Sequence, residues 1–399
     1  MKKIIGLSIL VSTSLFSAGY QIPNHSIDAT ALATANIANA NGANAAYYNP
    51  ANMVYNDSKN MLEVALSYVI LEPIKYDSTD DNFHIKSKQI EAFIPAFHYV
   101  SDKVTDLGLR FGFSLVSPAG LTREWDDMPA MASSKKYSLK TLELNPSIAI
   151  AINSKLSFGL GLRYIKAEGE IELDAGNLYT MEMDGDGEAF GYNLALSYQA
   201  TPALNISATY RSNITVTLDG HADATLATNP LSSSGSTEAL IPANFILATA
   251  YTFTTNTTLE ITYDRTMWSG VDETNFEFDN PMLEGTLGKS IAKNWHDTVA
   301  YRVGITQELD SLIAMCGFAY STNAADEEYV SFSSPETDSL TFSLGAKYTM
   351  SDSFYIGVAG LYAKSEERTT SQPTNHLGVN GTLGSRNTYQ FTLGGGYTF

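Results

Sequence analysis

The chain has 399 residues, of which 44% are hydrophobic, and its 43 acidic against 24 basic side chains give a formal charge of −19 at pH 7. So acidic a surface repels phosphates, which excludes nucleic acid as an expected partner. The single cysteine, Cys316, can form no internal disulfide, and we interpret it as a small buried or lipid-facing side chain.

The first seventeen residues predict an export signal. Lys2 and Lys3 precede an apolar run over residues 4–16, which is too short to span a bilayer as a helix. Cleavage after Ser17 would make Ala18 the mature N-terminus. Beyond the signal no segment approaches eighteen uninterrupted apolar residues, so we expect an exported soluble protein or a membrane β-barrel.

Residues 18–58 predict a plug. The segment is rich in Ala and Asn, lacks the alternation of a strand, and contains Ile27, Leu32 and Ile37 as apolar residues to bury, which disfavours a disordered leader. A barrel of about fourteen strands is too wide for its own side chains to fill. We therefore expect residues 18–58 to form a hatch inside the lumen, at the periplasmic mouth.

Period-two alternation marks the strands that follow. In the last of them Tyr389, Phe391 and Leu393 share one parity, and polar residues or glycine occupy the other. About fourteen strands are predicted, an even number as in bacterial barrels. They cover residues 62–72, 84–100, 106–117, 135–152, 155–171, 187–200, 203–218, 242–254, 256–268, 297–309, 311–321, 339–350, 353–365 and 386–399.

Connection lengths favour a membrane barrel over a soluble sandwich, whose strands alternate in the same way. Six connections are tight turns, and seven are longer, centred near residues 78, 126, 179, 230, 282, 330 and 375. Short periplasmic turns and long outer loops are typical of outer-membrane barrels with both termini in the periplasm. We predict an all-β transmembrane antiparallel barrel of about fourteen strands over residues 59–399.

No motif indicates catalysis or a metal. The six histidines form no zinc pattern, and there is no Gly-x-Ser-x-Gly elbow. A catalytic triad assembled from separate strands stays open as an alternative. Asp184-Gly185-Asp186-Gly187-Glu188 is similar to a calcium loop but has Ala189 and Ala195 where an EF-hand needs Gly and Glu. We interpret it as a solvated loop edge, with weak divalent binding as the alternative, and expect no enzyme activity, cofactor or metal.

Two sets of residues are candidates for ligand binding. The apolar loop after the third strand predicts either ligand capture or packing on a neighbouring loop, through Leu121, Trp125, Met128 and Met131. Cations assigned to the lumen, Arg163, Lys166 and Lys347, would pair with a carboxylate, and ion pairs with hatch or barrel acids are the alternative. Arg163 and Lys347 have the inward parity, and Lys166, Arg110 and Arg302 are less definite members of this set.

The same chain resembles a known family. Ala18-Gly19-Tyr20-Gln21 and Tyr48-Asn49-Pro50-Ala51 are similar to the mature start and the hatch motif of FadL-type outer-membrane transporters of long-chain fatty acids and other hydrophobic compounds, a family that includes aromatic-hydrocarbon porins. Ser117-Pro118-Ala119-Gly120 resembles the Pro-Phe-Gly element after the third strand, with Ala119 replacing the aromatic. Further matches follow in order at residues 190–193, 209–212, 241–245, 268–269, 295–298 and 301–304. Ser339 stands where the family has arginine, so the salt bridge of that arginine is not expected.

The resemblance implies a mechanism. Ligand would be captured between extracellular loops, pass to an inner site near the N-terminus, and leave laterally at a kinked third strand. The implied hatch residues are Tyr20, Tyr47, Tyr48, Asn49 and Pro50, and the implied kink residues are Gly108, Gly112, Pro118 and Gly120.

The expected cargo and partners follow from the same likeness. Long-chain fatty acid is the first expected cargo and aromatic or aliphatic hydrocarbon the second. A structural or adhesive barrel without transport is the alternative of another class. We expect a monomer in contact with outer-membrane lipid and lipopolysaccharide, with Phe399 read by the barrel assembly machinery.

Overall fold

The computed structural model describes residues 19–56, 59–79, 83–104, 108–288 and 290–399, so the predicted signal segment lies outside the described residues. Within these ranges fourteen antiparallel strands form a closed barrel, which confirms the predicted fold class. The strands are Met61–Leu71 (β1), Ile90–Val100 (β2), Arg110–Val116 with Gly120–Glu124 (β3), Lys136–Ala151 (β4), Leu156–Asp174 (β5), Tyr179–Thr201 (β6), Leu204–Arg211 with Ile214–Leu226 (β7), Asn229–Ile241 with Ala243–Thr252 (β8), Thr257–Met267 (β9), Thr298–Leu309 (β10), Leu312–Ser321 (β11), Ser339–Ser351 (β12), Phe354–Ser365 (β13) and Asn387–Thr398 (β14).

The barrel closes where β1 meets β14. The two strands pair without interruption from Met61 opposite Thr398 to Leu71 opposite Thr388. Closure removes the free edges that an open sheet would expose to lipid, where unpaired backbone groups have no water to bind.

Side chains alternate across the wall as the sequence predicts. On β12, Phe342 and Leu344 are 52% and 69% exposed, whereas Thr341 and Ser343 are buried. The exposed apolar face suits lipid, and the buried polar face lines the lumen.

Two hairpins are longer than predicted. β5 and β6 have 19 and 23 residues, against the roughly 9–11 that a tilted strand needs to cross a bilayer. β7 and β8 likewise extend to a tip at residues 227–228. The predicted loop at Asp184 is therefore wrong: this residue lies within β6, on its exposed face.

The extracellular loops carry their own small elements. The hatch has two helices of its own, Ile27–Ala31 (α1) and Ala45–Tyr48 (α2). No described helix is both long and apolar enough to cross a membrane. The predicted strand 84–100 is divided, because its first part belongs to a loop sheet. The loop elements are a four-stranded sheet of Lys75–Ser78, His84–Lys86, Arg368–Thr370 and Gly381–Leu383, the helices Ala130–Ser134 (α3) and Pro281–Leu287 (α4), the 3-10 turns Trp268–Gly270 and Glu327–Tyr329, and the short strands Glu273–Thr274, Phe276–Phe278 and Ile291–Ala292.

Residues 19–56 form the hatch inside the lumen. Besides α1 and α2 it contains a 3-10 helix, Pro50–Tyr55, which begins with proline where no backbone N–H is required. The barrel wall is shaped for it. A Cβ added to Gly159 or Gly317 would lie 2.5 Å from Ala51 N and 2.2 Å from the Leu32 carbonyl carbon. Only glycine leaves room there for the hatch backbone.

The third strand is interrupted at residues 117–119. Its first segment pairs with β2 only from Phe97 opposite Leu115 to Val100 opposite Gly112, and its second segment pairs with β4. In the described chain, residues 90–96 of β2 therefore have no ladder partner on β3. We call this opening the window. Above it, the Lys88 N–H donates to the Glu124 carbonyl at 2.9 Å.

Two of the four predicted kink residues lie at this interruption, Pro118 within it and Gly120 just after. Gly112 instead lies in the paired segment, where an added Cβ would be 2.6 Å from the Met53 sulfur of the hatch. Gly108 precedes the strand and has a positive φ of +69°. The prediction that Gly112 forms the kink is therefore corrected: it makes room for the hatch.

The lipid-facing assignment predicts the effect of a charge on β12. We expect Leu344→Arg to lower the free energy of unfolding by about 2–4 kcal/mol, because the charge would face hydrocarbon near the middle of the strand. Denaturant titration in lipid vesicles measures this. Leu178→Arg, at the exposed tip of the β5–β6 hairpin, is the matched control. Equal effects of both substitutions would contradict the assignment.

Candidate functional site

The start of the hatch closes the window from inside. We call residues 20–22 the gate segment. The Gly120 N–H donates to the Tyr20 carbonyl at 2.8 Å, and the Ile22 N–H donates to the Pro118 carbonyl at 2.9 Å. Gln21 thus forms an antiparallel bridge with Ala119. The gate segment binds the backbone groups that the break in β3 leaves without strand partners.

The side chain of Ile22 fills the window. It is 1% exposed and packs in a cluster with Val69 and Leu71 of β1 and Ile94 of β2. Because Ile94 belongs to the part of β2 that lacks a partner on β3, the gate segment lies between the lumen and the lipid-facing opening.

A cavity of about 110 Å³ lies beside Tyr20, and we call it the outer cavity. Its wall includes Leu121, Lys293 and Trp295. The Tyr20 ring packs edge-on against Trp268 with centroids 4.9 Å apart, and Trp268 packs against Trp295 at 5.0 Å. The Tyr20 hydroxyl donates to the Leu240 carbonyl, so a hydrogen bond anchors the polar end of this aromatic side chain.

A buried carboxylate, that of Glu336, binds Gly19 next to the gate segment. Glu336 accepts hydrogen bonds from the Gly19 N–H and from the Ser334 hydroxyl, both at 2.8 Å. Burial raises the pKa of Glu336 above its usual value, and the nearby cations Arg386 and Lys293 act in the opposite direction. Burial lowers the pKa of Lys293 to about 8, against the attraction of Glu336.

Several donors beside this carboxylate lack acceptors. Among the described residues, Arg123 Nε and Nη1, Arg386 Nε and the indole nitrogens of Trp268 and Trp295 are buried without a hydrogen-bond partner. Arg123 and Arg386 both interact electrostatically with Glu336. Two exposed carboxylates, Glu238 and Glu273, line the outer cavity as well. The buried groups around Glu336 therefore include more cations than anions, and one of these cations, Lys293, lines the outer cavity.

A second cavity, of about 80 Å³, lies deeper, and we call it the inner cavity. Ile22, Ile37 and Tyr47 of the hatch line it together with Arg163 and Arg211 of the wall. Buried Glu143 binds both arginines: Arg163 Nε and Nη2 donate to one carboxylate oxygen at 3.0 and 2.9 Å, and Arg211 donates to the other. The Arg211 guanidinium also lies 4.2 Å from the centroid of the Tyr47 ring.

Both cavities are small in this state. An engineered apolar cavity of about 150 Å³ holds a single benzene ring, whereas these measure about 110 and 80 Å³. A ligand with a long hydrocarbon chain therefore does not fit while the gate segment is seated.

The predicted cations have three different environments. Arg163 lines the inner cavity, paired with Glu143. Lys347 binds Asp28 of the hatch at 2.7 Å, so it ties the hatch to the wall. Lys166 shares the outward parity of Leu162 on β5. It therefore faces away from the lumen, and its assignment to the lumen from the sequence is wrong.

Trp125 lies at the centre of a core formed by the extracellular loops. Its indole N–H donates to the Phe332 carbonyl at 3.0 Å, and the two rings pack edge-on at 5.4 Å. Tyr76 packs against Phe332 from another loop. The sequence left open whether this loop captures ligand or packs on a neighbouring loop, and Trp125 packs on a neighbouring loop. Met128 is exposed, Met131 is half-buried in α3, and Leu121 lines the outer cavity.

The predicted hatch residues tie the hatch together. The Tyr48 hydroxyl donates to the Pro23 carbonyl at 2.9 Å. The Asn49 side-chain amide donates to the Ile37 carbonyl at 2.8 Å and to Ser197 of β6 at 2.9 Å.

The sequence analysis missed several residues of both cavities. Glu143, Arg211, Lys293 and Glu336 come from four separate strands or loops, and no local motif joins them. Trp268, Trp295 and Arg211 did fall within segments that resemble the transporter family, which is the only signal that pointed to them. The described chain contains no group of three or more potential ligands that could hold a metal.

Comparison with known proteins identifies the family. The family described as "Outer membrane protein transport protein (OMPP1/FadL/TodX)" matches residues 8–399. The chain belongs to this family. It is 23% identical over 410 aligned residues to the long-chain fatty acid transport protein of Escherichia coli O6:H1, covering 90% of this chain and 89% of that one. It is 22% identical to outer membrane protein P1 of Haemophilus influenzae, covering 69% and 67%.

Solved structures show the same fold. A Pseudomonas aeruginosa FadL homologue superposes with a TM-score of 0.81 at 18% identity, covering 95% of this chain and 99% of that one. The toluene transporter TodX of P. putida superposes with a TM-score of 0.71 at 16% identity, covering 94% and 99%. This FadL-type protein is thus a multi-pass barrel of the cell outer membrane and a transport protein for hydrophobic compounds.

The loop core gives a testable difference between two of the predicted capture residues. We expect Trp125→Ala to destabilise the loop core by about 3–5 kcal/mol, because it removes a fully buried ring. Tryptic cleavage at Lys75 and Lys86 in the loop sheet should then become faster while the barrel stays folded. Met128→Ala, which changes an exposed side chain, should leave cleavage unchanged. Unaltered cleavage in Trp125→Ala would contradict the role in packing.

Proposed function

We propose that this FadL-type protein takes up long-chain fatty acids passively, with the gate segment controlling their lateral exit through the window. Relatives named for fatty acids and neighbours named for toluene both occur among similar proteins, so the family alone does not choose the cargo. The observation that favours a fatty acid is the set of buried donors without acceptors around Glu336, the carboxylate that also attracts Lys293 in the wall of the outer cavity.

A carboxylate would complete this set. Buried guanidinium groups cost free energy unless an acceptor binds them. A fatty-acid carboxylate would accept from Arg123 or Arg386, and Lys293 would add a third positive charge. A hydrocarbon offers no acceptor, so it would leave the same groups unsatisfied. Uptake of aromatic or aliphatic hydrocarbon is the second candidate, supported by the apolar Tyr20, Trp268 and Trp295 cluster.

The proposed route connects the features in order. Ligand would be captured at the extracellular loops near Met128 and Met131, then enter the outer cavity beside Leu121. Arg163 and Arg211 would receive the carboxylate in the inner cavity, where their pairing with Glu143 leaves one positive charge in excess. The gate segment would have to leave β3 for the ligand to reach the window, because both cavities are too small with it in place.

The proposal also assigns a role to each segment of the chain. Residues 1–17 would be removed as the signal, 18–58 would act as the hatch and 59–399 as the barrel. The protein would act as a monomeric channel without catalytic activity, in contact with lipopolysaccharide. The exposed aromatic residue Phe399, whose carbonyl and amide both pair with Asn60, would present the C-terminus to the assembly machinery.

Uptake of labelled oleate by cells with and without the gene tests the cargo. We expect faster uptake with the gene, and toluene uptake measured in parallel separates the two cargo classes. Equal oleate uptake would contradict the fatty-acid proposal. If cells with and without the gene take up each compound at the same rate, a structural or adhesive barrel is favoured.

The lowered pKa of Lys293 predicts a pH dependence of binding. Its ammonium loses its charge as the pH rises through about 8, and a bound carboxylate favours the charged form. Oleate affinity of the purified protein should therefore fall about tenfold between pH 7 and 9.5, the loss expected for one charged hydrogen bond. Lys293→Met should bind weakly at both pH values. Lys75→Met, an exposed lysine of the loop sheet, should behave as the parent, and oleyl alcohol should bind independently of pH.

A disulfide can test movement of the gate segment. Gln21 and Ala119 form a non-hydrogen-bonded antiparallel pair, whose Cα atoms lie at about 4.5 Å, close enough for a disulfide. We expect Gln21→Cys with Ala119→Cys, in a Cys316→Ser background, to stop oleate transfer into vesicle lipid when oxidised and to recover it on reduction. The two single-cysteine variants are controls. Equal transfer by the oxidised and reduced proteins would show that the gate segment need not move.

A further inference from the structure

One turn of the hatch separates the inner cavity from the periplasmic side. We call residues 37–42 the periplasmic turn. Ile37 lines the inner cavity, whereas Ala38, Asn39 and Asn41 line a different cavity of about 160 Å³. The wall of that cavity includes residues 201–205, the short turn between β6 and β7, and therefore lies at the periplasmic mouth. The backbone at Ile37 and Ala38 is the partition between the two spaces.

A single carboxylate on the barrel wall holds this partition. Glu260 of β9 is 2% exposed and accepts hydrogen bonds from three successive amides, those of Ile37, Ala38 and Asn39, at 2.6, 3.1 and 2.8 Å. Successive backbone N–H groups directed at one point form a concave anion-binding nest. Among the described residues, the one further donor to Glu260 is the Thr262 hydroxyl, at 3.2 Å.

Glu260 differs from the lumen carboxylates Glu143 and Asp264 in having no cation bound to it. Glu143 binds Arg163 and Arg211, and Asp264 binds Arg302 at 3.1 Å. Within the described chain Glu260 forms no ion pair, so the turn itself supplies the stabilisation that a buried charge requires. Displacement of the turn would leave the carboxylate without those donors.

Other contacts hold the rest of the hatch independently. Lys347 binds Asp28 in α1, and Arg302 donates to the Ala33 carbonyl at 3.0 Å. At the periplasmic turn the ties to Asn52 are internal to the hatch. Asn205 supplies the one further hydrogen bond from a described wall side chain to the turn, from its amide to the Ala38 carbonyl at 2.5 Å.

We propose that Glu260 is the positioning residue that keeps the periplasmic turn closed against the wall, so that the lumen is sealed from the periplasm and cargo leaves through the window. The direction of cargo exit rests on the proposed function. The seal itself does not, because polar solutes report on it whatever the cargo is.

Glu260→Gln is the direct test. The glutamine side chain keeps the shape but presents one acceptor oxygen and one N–H donor group, so at least one of the three amides loses its acceptor. We expect the KCl current through planar bilayers containing the purified protein to rise about tenfold, as the turn opens more often. Glu308→Gln removes an exposed carboxylate near the periplasmic end of β10 and should leave the current unchanged.

Further variants keep the proposal falsifiable. Heat-modifiable mobility on gels shows whether each barrel has folded. A folded Glu260→Gln barrel with the parental current would overturn the proposal. If that variant does not fold, Glu260→Asp and Asn205→Leu carry the test: each should raise the current by a smaller factor, and parental currents in both would overturn it.

Oleate transfer separates this proposal from the proposed function. We expect Glu260→Gln to transfer oleate into vesicle lipid as the parent does, since the gate segment and the window are unchanged. The outcome could be a raised current in Glu260→Gln together with no oleate transfer by either the variant or the parent. This outcome would support the seal and contradict the fatty-acid cargo. A parental current with normal transfer would contradict the seal alone.

Discussion

The whole structure depends on one constraint: within lipid, each backbone N–H and C=O must bind another group of the protein. Thirteen neighbouring strand pairs and the closing pair of β1 with β14 meet it almost everywhere. One interruption among the described residues is the break in β3 at residues 117–119, beside which the upper part of β2 has no partner on β3. There the hatch binds the backbone of the interrupted third strand, through hydrogen bonds of Tyr20 with Gly120 and of Ile22 with Pro118. The wall and its plug are therefore one hydrogen-bonding system, and the weakest part of the wall is the part that the plug completes.

Buried charges have different partners in the lower hatch and around Glu336. In the lower hatch, Asp28 with Lys347 and Glu260 with its three amides hold the plug to the wall. Around Glu336, buried donors of Arg123 and Arg386 have no acceptor among the described residues. Fully paired groups rigidify a core, and unpaired ones are places where a ligand gains free energy by binding. In the proposed route the lower hatch would stay in place while the gate segment moves.

The barrel was largely readable from the sequence, because strand alternation and the sorting of turns and loops depend on local patterns. Leu344, Phe391 and Leu393 were assigned to the lipid face for that reason. The site was less readable, since its charges come from distant strands and meet only after closure. Arg163 was recognised by its parity, but Glu143, which binds both Arg163 and Arg211, lies on another strand, and no local sequence pattern points to it. Gly112 was misread because a glycine that makes room for a plug looks the same in sequence as one that bends a strand.

The packed core around Trp125 changes how the outer face of the cell presents this protein. Four separate loops contribute Tyr76, Trp125, Phe332 and Leu383 to it. Their exposed surfaces are consequently held in a defined arrangement that no single loop reproduces when isolated. An antibody or a phage tail fibre that recognises this surface would read a conformational epitope assembled from distant parts of the chain. Synthetic peptides copied from one loop would be poor immunogens for the native cell surface.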